Sequence, residues 1–172
     1  MATLINCSEP APLFELLDLH GDIHRLADEH GRILILNFWS AECPWAARCD
    51  QELLTYLPVW KDQVDLWTVA SNMNESSDLI TRVASERGLP LVLQDVQHHV
   101  ADLYGAQTTP HLYVIDELGI LRYQGALDDV TFSNRIPTRS FLRSAVEALL
   151  IGQLPEPAET LSYGCAIVRE HF

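Results

Sequence analysis

The 172-residue chain carries 24 acidic and 11 basic residues, a net charge of −13, which argues against nucleic acid and anionic membrane surfaces as partners. Its 48% hydrophobic content suffices for one domain with a substantial core and no need of disulfide staples. No stretch approaches the roughly 18 apolar residues of a membrane span. The start, MATLINCSEPAPLF, lacks the basic and apolar regions of an export signal. The expected compartment is therefore the cytoplasm, where four cysteines are reduced thiols rather than a disulfide framework.

Residues 1–12 read as a loosely tied, proline-bearing arm with Cys7 as an exposed thiol. Phe14 to Leu19 alternates as a strand, His20-Gly21-Asp22 turns the chain, and Leu26 to His30 forms a helical turn released by Gly31. Ile33 to Trp39 is a near-continuous apolar run, the pattern of a strand covered on both faces. A helix must follow, because Pro44 suits a first helical position and sets Cys43 at or next to the N-cap. Helix amides and dipole at that end contribute about 0.3 to 1 kcal/mol, roughly 2 at most. About 1.36 kcal/mol moves a pKa by one unit, so the dipole alone barely activates a thiol. Glu42 opposes the effect and Arg48 adds little. Ala46, Cys49, Leu53 and Leu57 form an apolar stripe, which makes Cys49 a structural thiol. A Cys43–Cys49 disulfide would have to span about 10 Å of helix, against a limit near 7 Å. Pro58 kinks or ends the helix near Trp60.

Val64 to Ala70 reads as the next strand and Ser71 to Asn74 as a loop. Glu75 to Arg87 follows as a helix closed by Gly88. Leu91 to Leu93 is a short strand, and Val100 to Tyr104 a helix. His98 and His99 diverge as neighbours and read as an exposed helix start, and His20, His24 and His30 give no metal pattern. His111 is expected to point out of its strand. Ile120 to Gln124 pairs back, and Gly125 to Pro137 forms a loop in which Asp128 and Asp129 are solvated charges. Ser140 to Ile151 is amphipathic through Phe141, Leu142, Ala145, Leu149 and Leu150, covers the sheet, and is capped by Gly152. An extended tail from Pro155 ends in Tyr163-Gly164-Cys165-Ala166-Ile167-Val168. The expected division is an arm over 1–12, a domain over 13–152 and an extension over 153–172 that packs on it.

Three segments carry a resemblance. Phe38-Trp39-Ser40-Ala41-Glu42-Cys43 has an F-W-x-x-x-C register, Tyr104 to His111 resembles a helix-to-strand turn with a cis-proline at Pro110, and Leu112 to Gly125 resembles a final hairpin. Over roughly residues 12–150 the chain resembles the thioredoxin-like superfamily, in particular its redoxin branch of AhpC/TSA, peroxiredoxin-like proteins. The resemblance implies an α/β fold: a central mixed sheet flanked by helices on both faces. It also places the Ser71 loop near Cys43, and Thr109, Pro110, Pro44 and Trp45 around the substrate. The departures are specific. Ala46 replaces the second cysteine of C-x-x-C, giving C-P-W-A, and Asn37 stands where thioredoxins often have a buried acid. Ser40 takes the place of the peroxiredoxin threonine, but Leu36 occupies its proline position and Pro110 its arginine position.

The resemblance implies a thiol oxidoreductase, with antioxidant activity if the substrate is a peroxide. Cys43 attacks either a peroxide oxygen, giving a sulfenic acid, or a disulfide sulfur, giving a mixed disulfide. Ser40 is expected to hydrogen-bond at the reacting centre. Cys165 is the first candidate to resolve Cys43, with Cys49 or an external thioredoxin or small thiol as alternatives. No metal or organic cofactor is implied, and assembly as a homodimer stays open. Two other readings remain at this stage: disulfide exchange without peroxidase activity, and a non-catalytic binding module on the same fold.

Overall fold

The computed structural model describes residues 5–169. Its centre is β3 (Ile33–Trp39), whose seven residues are all buried, as a strand packed on both faces must be. It pairs in parallel with β4 (Val64–Ala70) and antiparallel with β7 (His111–Ile115). The sheet is extended on one side by β5 (Val92–Gln94), β1 (Glu15–Asp18) and β2 (Ile23–Arg25), and on the other by β8 (Leu121–Gly125). The strand order is β2-β1-β5-β4-β3-β7-β8.

Parallel steps need helical crossovers of one hand. Passing from β3 through α1 (Pro44–Trp60) to β4, and on through α2 (Ser77–Arg87) to β5, therefore lays both helices on one face. That face carries Ile33, Ile35 and Trp39 of β3. It buries Leu53 and Trp60 of α1, Ile80 and Val83 of α2, and Leu142 and Val146 of α4 (Phe141–Leu150). The alternate residues Leu34, Leu36 and Phe38 face Val100, Ala101 and Tyr104 of α3 (His99–Tyr104) and Leu26 of a short helical turn. The result is the thioredoxin-like α/β sandwich, a mixed sheet with helices on both faces. The carboxyl ends of β3 and β4 open onto the same edge, the usual place for chemistry in such sheets.

Four sequence expectations are revised. Residues 5–12 are not a loose arm: Ser8 N donates to Leu121 O (2.7 Å), Leu121 N to Glu9 O (2.9 Å) and Ala11 N to Gly119 O (2.9 Å). Cys7 is accordingly half-buried, its thiol donating to Ala158 O at 3.3 Å. Burial and then Glu159 push its pKa up to about 11. The helix expected from Glu75 begins at Ser77, because Ser76 takes the N-cap and accepts from Leu79 N at 3.2 Å. Glu75 is thereby left outside the helix. His111 does not point outward; it is buried, stacks on Tyr113 at 4.8 Å between ring centroids, and its Nδ1 accepts from Gln107 N at 3.1 Å. Burial pulls its pKa from 6.5 to about 4. Asp128 is not a solvated loop charge but a buried partner of Arg48, which grips both its oxygens.

The C-terminal residues form a strap. Thr160 N donates to Gln124 O (3.0 Å) and Gln124 N to Ala158 O (3.1 Å), so the chain runs beside the outer strand β8. It then crosses to pair β9 (Cys165–Ala166) with β6 (Thr108–Thr109) in a separate two-stranded sheet. Arg169 fastens the far end, to Asp102 (2.8 Å) and to Ala106 O (2.6 Å).

Candidate active site

Cys43 is the N-cap of α1 and Pro44 the first helical residue, and the Cys43 side chain makes no capping hydrogen bond. Its sulfur is turned instead toward β6, 3.1 Å from the Thr109 carbonyl oxygen. The Thr109–Pro110 bond beside it is cis. Only 2% of Cys43 is exposed.

The turn that presents Cys43 is held from beneath by two carboxylates. Glu75, 8% exposed, accepts from Ala41 N (3.1 Å), Glu42 N (3.2 Å) and the Ser40 hydroxyl. Three donors on one carboxylate fix the peptide units directly before the cysteine, and the Ser40 proton is committed to Glu75. Asp50, 1% exposed, accepts from Trp39 Nε1 (2.8 Å) and Arg87 Nη1 (2.9 Å). Arg87 lies over the Trp39 ring and gives a second hydrogen bond to Ala41 O at 2.8 Å. Burial raises the Asp50 pKa, and the Trp39 and Arg87 bonds oppose it. Strand, helix and crossover helix are thus tied to the active turn through one ion pair.

Above the turn lies the strap. Cys165 stands opposite Thr109 in the β6–β9 register, and its sulfur is joined to that of Cys43 with the Cα atoms 6.2 Å apart, inside the range that bridging allows without backbone movement. Tyr163 meets the Trp45 ring edge-on at 4.9 Å and its hydroxyl accepts from Phe132 N at 2.7 Å. Downstream, Ile167 N donates to Gln107 O (3.1 Å), Val168 N to Asn72 Oδ1 (2.7 Å) and Met73 N to Val168 O (3.0 Å). The hollow beside the pair, lined by Trp45, Pro110, Asp128 and Tyr163 among others, holds only about 10 Å³, while clefts of about 460 and 470 Å³ open elsewhere. The strap fills the groove.

Cys43, Ser40, Cys165, Thr109, Pro110, Pro44 and Trp45, the residues singled out in the sequence, therefore come to one place. The Cys43–Cys49 alternative does not form: Cys49 is free, fully buried in the core under α1, and desolvation carries its thiol pKa well above the ordinary value. Arg48 is spent on Asp128 rather than on Cys43. Sequence reasoning missed Glu75, Asp50 and Arg87. Two signals were present: Ser76 with Asp78 two residues on marks an N-cap that leaves Glu75 outside, and Asp50 is an acid within the buried side of α1. Among the described residues no cluster of three His, Cys, Asp or Glu side chains could hold a metal ion.

A cysteine at a helix start after the central strand, a facing cis-proline and a second cysteine bonded to the first define a thiol-dependent oxidoreductase of the thioredoxin-like superfamily. Residues 7–124 match the AhpC/TSA family, and the chain belongs to that family, in its redoxin branch. It is 32% identical over 123 residues to the thiol-disulfide oxidoreductase ResA of Geobacillus kaustophilus, spanning 68% of this chain and 67% of the relative. Among solved structures, a hypothetical protein of Sinorhizobium meliloti 1021 superposes with a TM-score of 0.88 at 25% identity, over 99% of this chain and 98% of that one. The thioredoxin domain of a thiol-disulfide oxidoreductase of Bacteroides vulgatus shares the fold, with a TM-score of 0.62 at 20% identity over 76% of this chain and 93% of that one.

Proposed function

We propose that the protein catalyses thiol–disulfide exchange with protein partners, with Cys43 as nucleophile and Cys165 as resolving thiol. The observation that carries this reading is the Cys43–Cys165 bond itself, formed in the groove beside Thr109. In the reduced protein the Cys43 thiolate attacks one sulfur of a partner disulfide, forms a mixed disulfide and expels the partner's other sulfur as thiolate. The Cys165 thiolate then attacks Cys43, closes the intrachain disulfide and releases the second partner thiol. The partner has gained two electrons, and an external dithiol such as a thioredoxin, or two small thiols, restores the starting state. The relatives named as thiol-disulfide oxidoreductases support the same chemistry.

Peroxide reduction is the weaker reading. A peroxide needs a donor free to polarise its O–O bond, and the Ser40 proton is held by Glu75, while Leu36 and Pro110 replace the other peroxidatic groups. The deciding experiment mixes reduced protein with hydrogen peroxide or with a small disulfide and follows Cys43 by quenched intact mass, with Cys43→Ser and Cys165→Ser alongside. Exchange predicts rapid mixed-disulfide trapping in Cys165→Ser and peroxide reactivity no greater than that of a free thiol. Fast sulfenic acid formation at Cys43, with slow disulfide exchange, would reverse the assignment.

A further inference from the structure

We infer that the strap segment Tyr163–Val168 is a tethered likeness of the protein's partner, and that the partner is an extended polypeptide whose reacting cysteine follows a glycine. This rests on the exchange reading above and names the substrate class of the same site.

A partner joined to Cys43 must place its sulfur where the Cys165 sulfur now sits. It must also meet the same wall, the backbone of Thr108 and Thr109, which here pairs with Ala166 and Cys165 as one strand with another. Strand addition of this kind draws its affinity from main-chain hydrogen bonds and its selectivity from the side chains at each register position. Gly164, just before the cysteine, is the selective position. A Cβ built there would lie 2.1 Å from Thr109 O, 2.6 Å from Thr109 C and 3.1 Å from Pro110 Cδ. The φ of Gly164 is outside the left-handed region that only glycine favours. Glycine is therefore required by contact with the groove wall, not by the strap's own conformation, and any polypeptide lying in the same register meets the same wall. One position earlier, Tyr163 packs its ring edge-on against Trp45, which gives an aromatic residue a surface to rest on. Two positions after the cysteine, Ile167 is buried at 6% exposure.

The strap and a partner cannot share the groove. Reduction of Cys43–Cys165 removes the covalent tie, leaving non-covalent contacts to hold the strap: the pairing of β6 with β9, the Tyr163 contacts with Trp45 and Phe132, the backbone bonds of Ile167 and Val168, and the Arg169 contacts. A partner therefore enters by displacing it. Once the partner's first thiolate has left, the returning strap peels the bound segment from the groove wall and brings the Cys165 thiolate against Cys43 of the mixed disulfide, and its attack expels the partner's reacting cysteine as thiolate.

The test uses the full chain with Gly164→Ala and Cys165→Ser combined, which unseats the strap and leaves Cys43 without its intrachain partner. The probes are two peptides, acetyl-Tyr-Gly-Cys-Ala-Ile-Val-amide and its Gly-to-Ala form, each carrying thionitrobenzoate on the cysteine. Cys43 thiolate attacks the peptide sulfur and expels the thionitrobenzoate anion, the better leaving group, whose colour reports the rate. A Cβ at 2.1 Å forces a shift of the reacting strand on the order of 1 Å, and misplacement on that scale costs about 10- to 100-fold in rate. The glycine peptide is expected to react faster by that ratio. Cys165→Ser alone should keep the ratio while lowering both rates, because its strap still competes. Equal rates for the two peptides, with both well above those of a free thiol, overturn the partner assignment and leave exchange chemistry standing. Reaction of neither peptide faster than a free thiol overturns both. An oxidised wild-type protein that runs as a disulfide-linked dimer assigns the groove to the strap of a second copy and overturns the intrachain likeness.

Discussion

Replacing Cys165 with serine opens the one covalent link between the strap and the active turn, and the cost follows from chain statistics. The two cysteines are 122 residues apart. Closing a loop of that length removes about 5 kcal/mol of conformational freedom from the unfolded chain at 25 °C. A domain of this size is stable by about 5–15 kcal/mol, so the oxidised protein owes a third or more of its stability to this bond. Serine fits the cysteine's space, and the main-chain pairing of Cys165 with Thr109 survives, so little of the loss is local packing. Urea unfolding followed by tryptophan fluorescence measures it directly, with oxidised wild type, dithiothreitol-reduced wild type and Cys165→Ser compared. The oxidised protein should exceed the other two by about 3–5 kcal/mol and show the smaller m value, since its unfolded state is more compact. Cys165→Ser within about 0.5 kcal/mol of the oxidised protein would show that the bond contributes no such constraint, and the loop argument would fail.

Further substitutions test the supports of the active turn. Arg87→Ala leaves Asp50 buried without its cation and should cost about 3–5 kcal/mol. Because burial already raises the Asp50 pKa in the folded state, folding takes up a proton there, and stability from this group is lost as pH rises through the folded value. The Arg87→Ala defect should accordingly shrink in acid and grow toward alkaline pH, as read by thermal melts. Glu75→Gln replaces one acceptor oxygen with an amide donor, so it should cost about 1–3 kcal/mol. Loss of that negative charge also favours the Cys43 thiolate, whose ultraviolet absorbance in reduced protein should appear at lower pH; an unmoved titration would remove Glu75 from control of the thiol. His111, held neutral by burial with its pKa lowered from 6.5 to about 4, protonates in the unfolded chain first. Stability should fall as pH drops through that window, by about 3 kcal/mol in all, and His111→Phe should flatten the slope in urea titrations.

Much of this protein is legible without coordinates because the signals are local. A run from Ile33 to Trp39 that is apolar at every position but Asn37 reads as a doubly covered strand, and Pro44 sets the start of α1 and so the place of Cys43. Gly88 in the left-handed region closes α2 where the sequence puts its end. The amphipathic stripe of α4 is equally plain. Each of these depends on residues within a turn or two of one another.

The site is another matter. A side chain's partner across the fold leaves no periodic trace, and the decisive contacts all reach across the fold. Glu75 reads as the first residue of a helix until Ser76 is seen to cap it and the carboxylate is found under the amides of Ala41 and Glu42. Asp128 reads as a loop charge until β8 and α1 bring it to Arg48. The sequence ranks Cys165 first among the thiols that could resolve Cys43, but leaves Cys49 and an external thiol open beside it. The strand and the Pro44 that follows it named the reactive cysteine, and the resemblance carried by the motifs around Cys43 and Pro110 implied the fold; only tertiary structure, by laying the strap along β6, decided which of the remaining thiols meets it and left Cys49 sealed in the core.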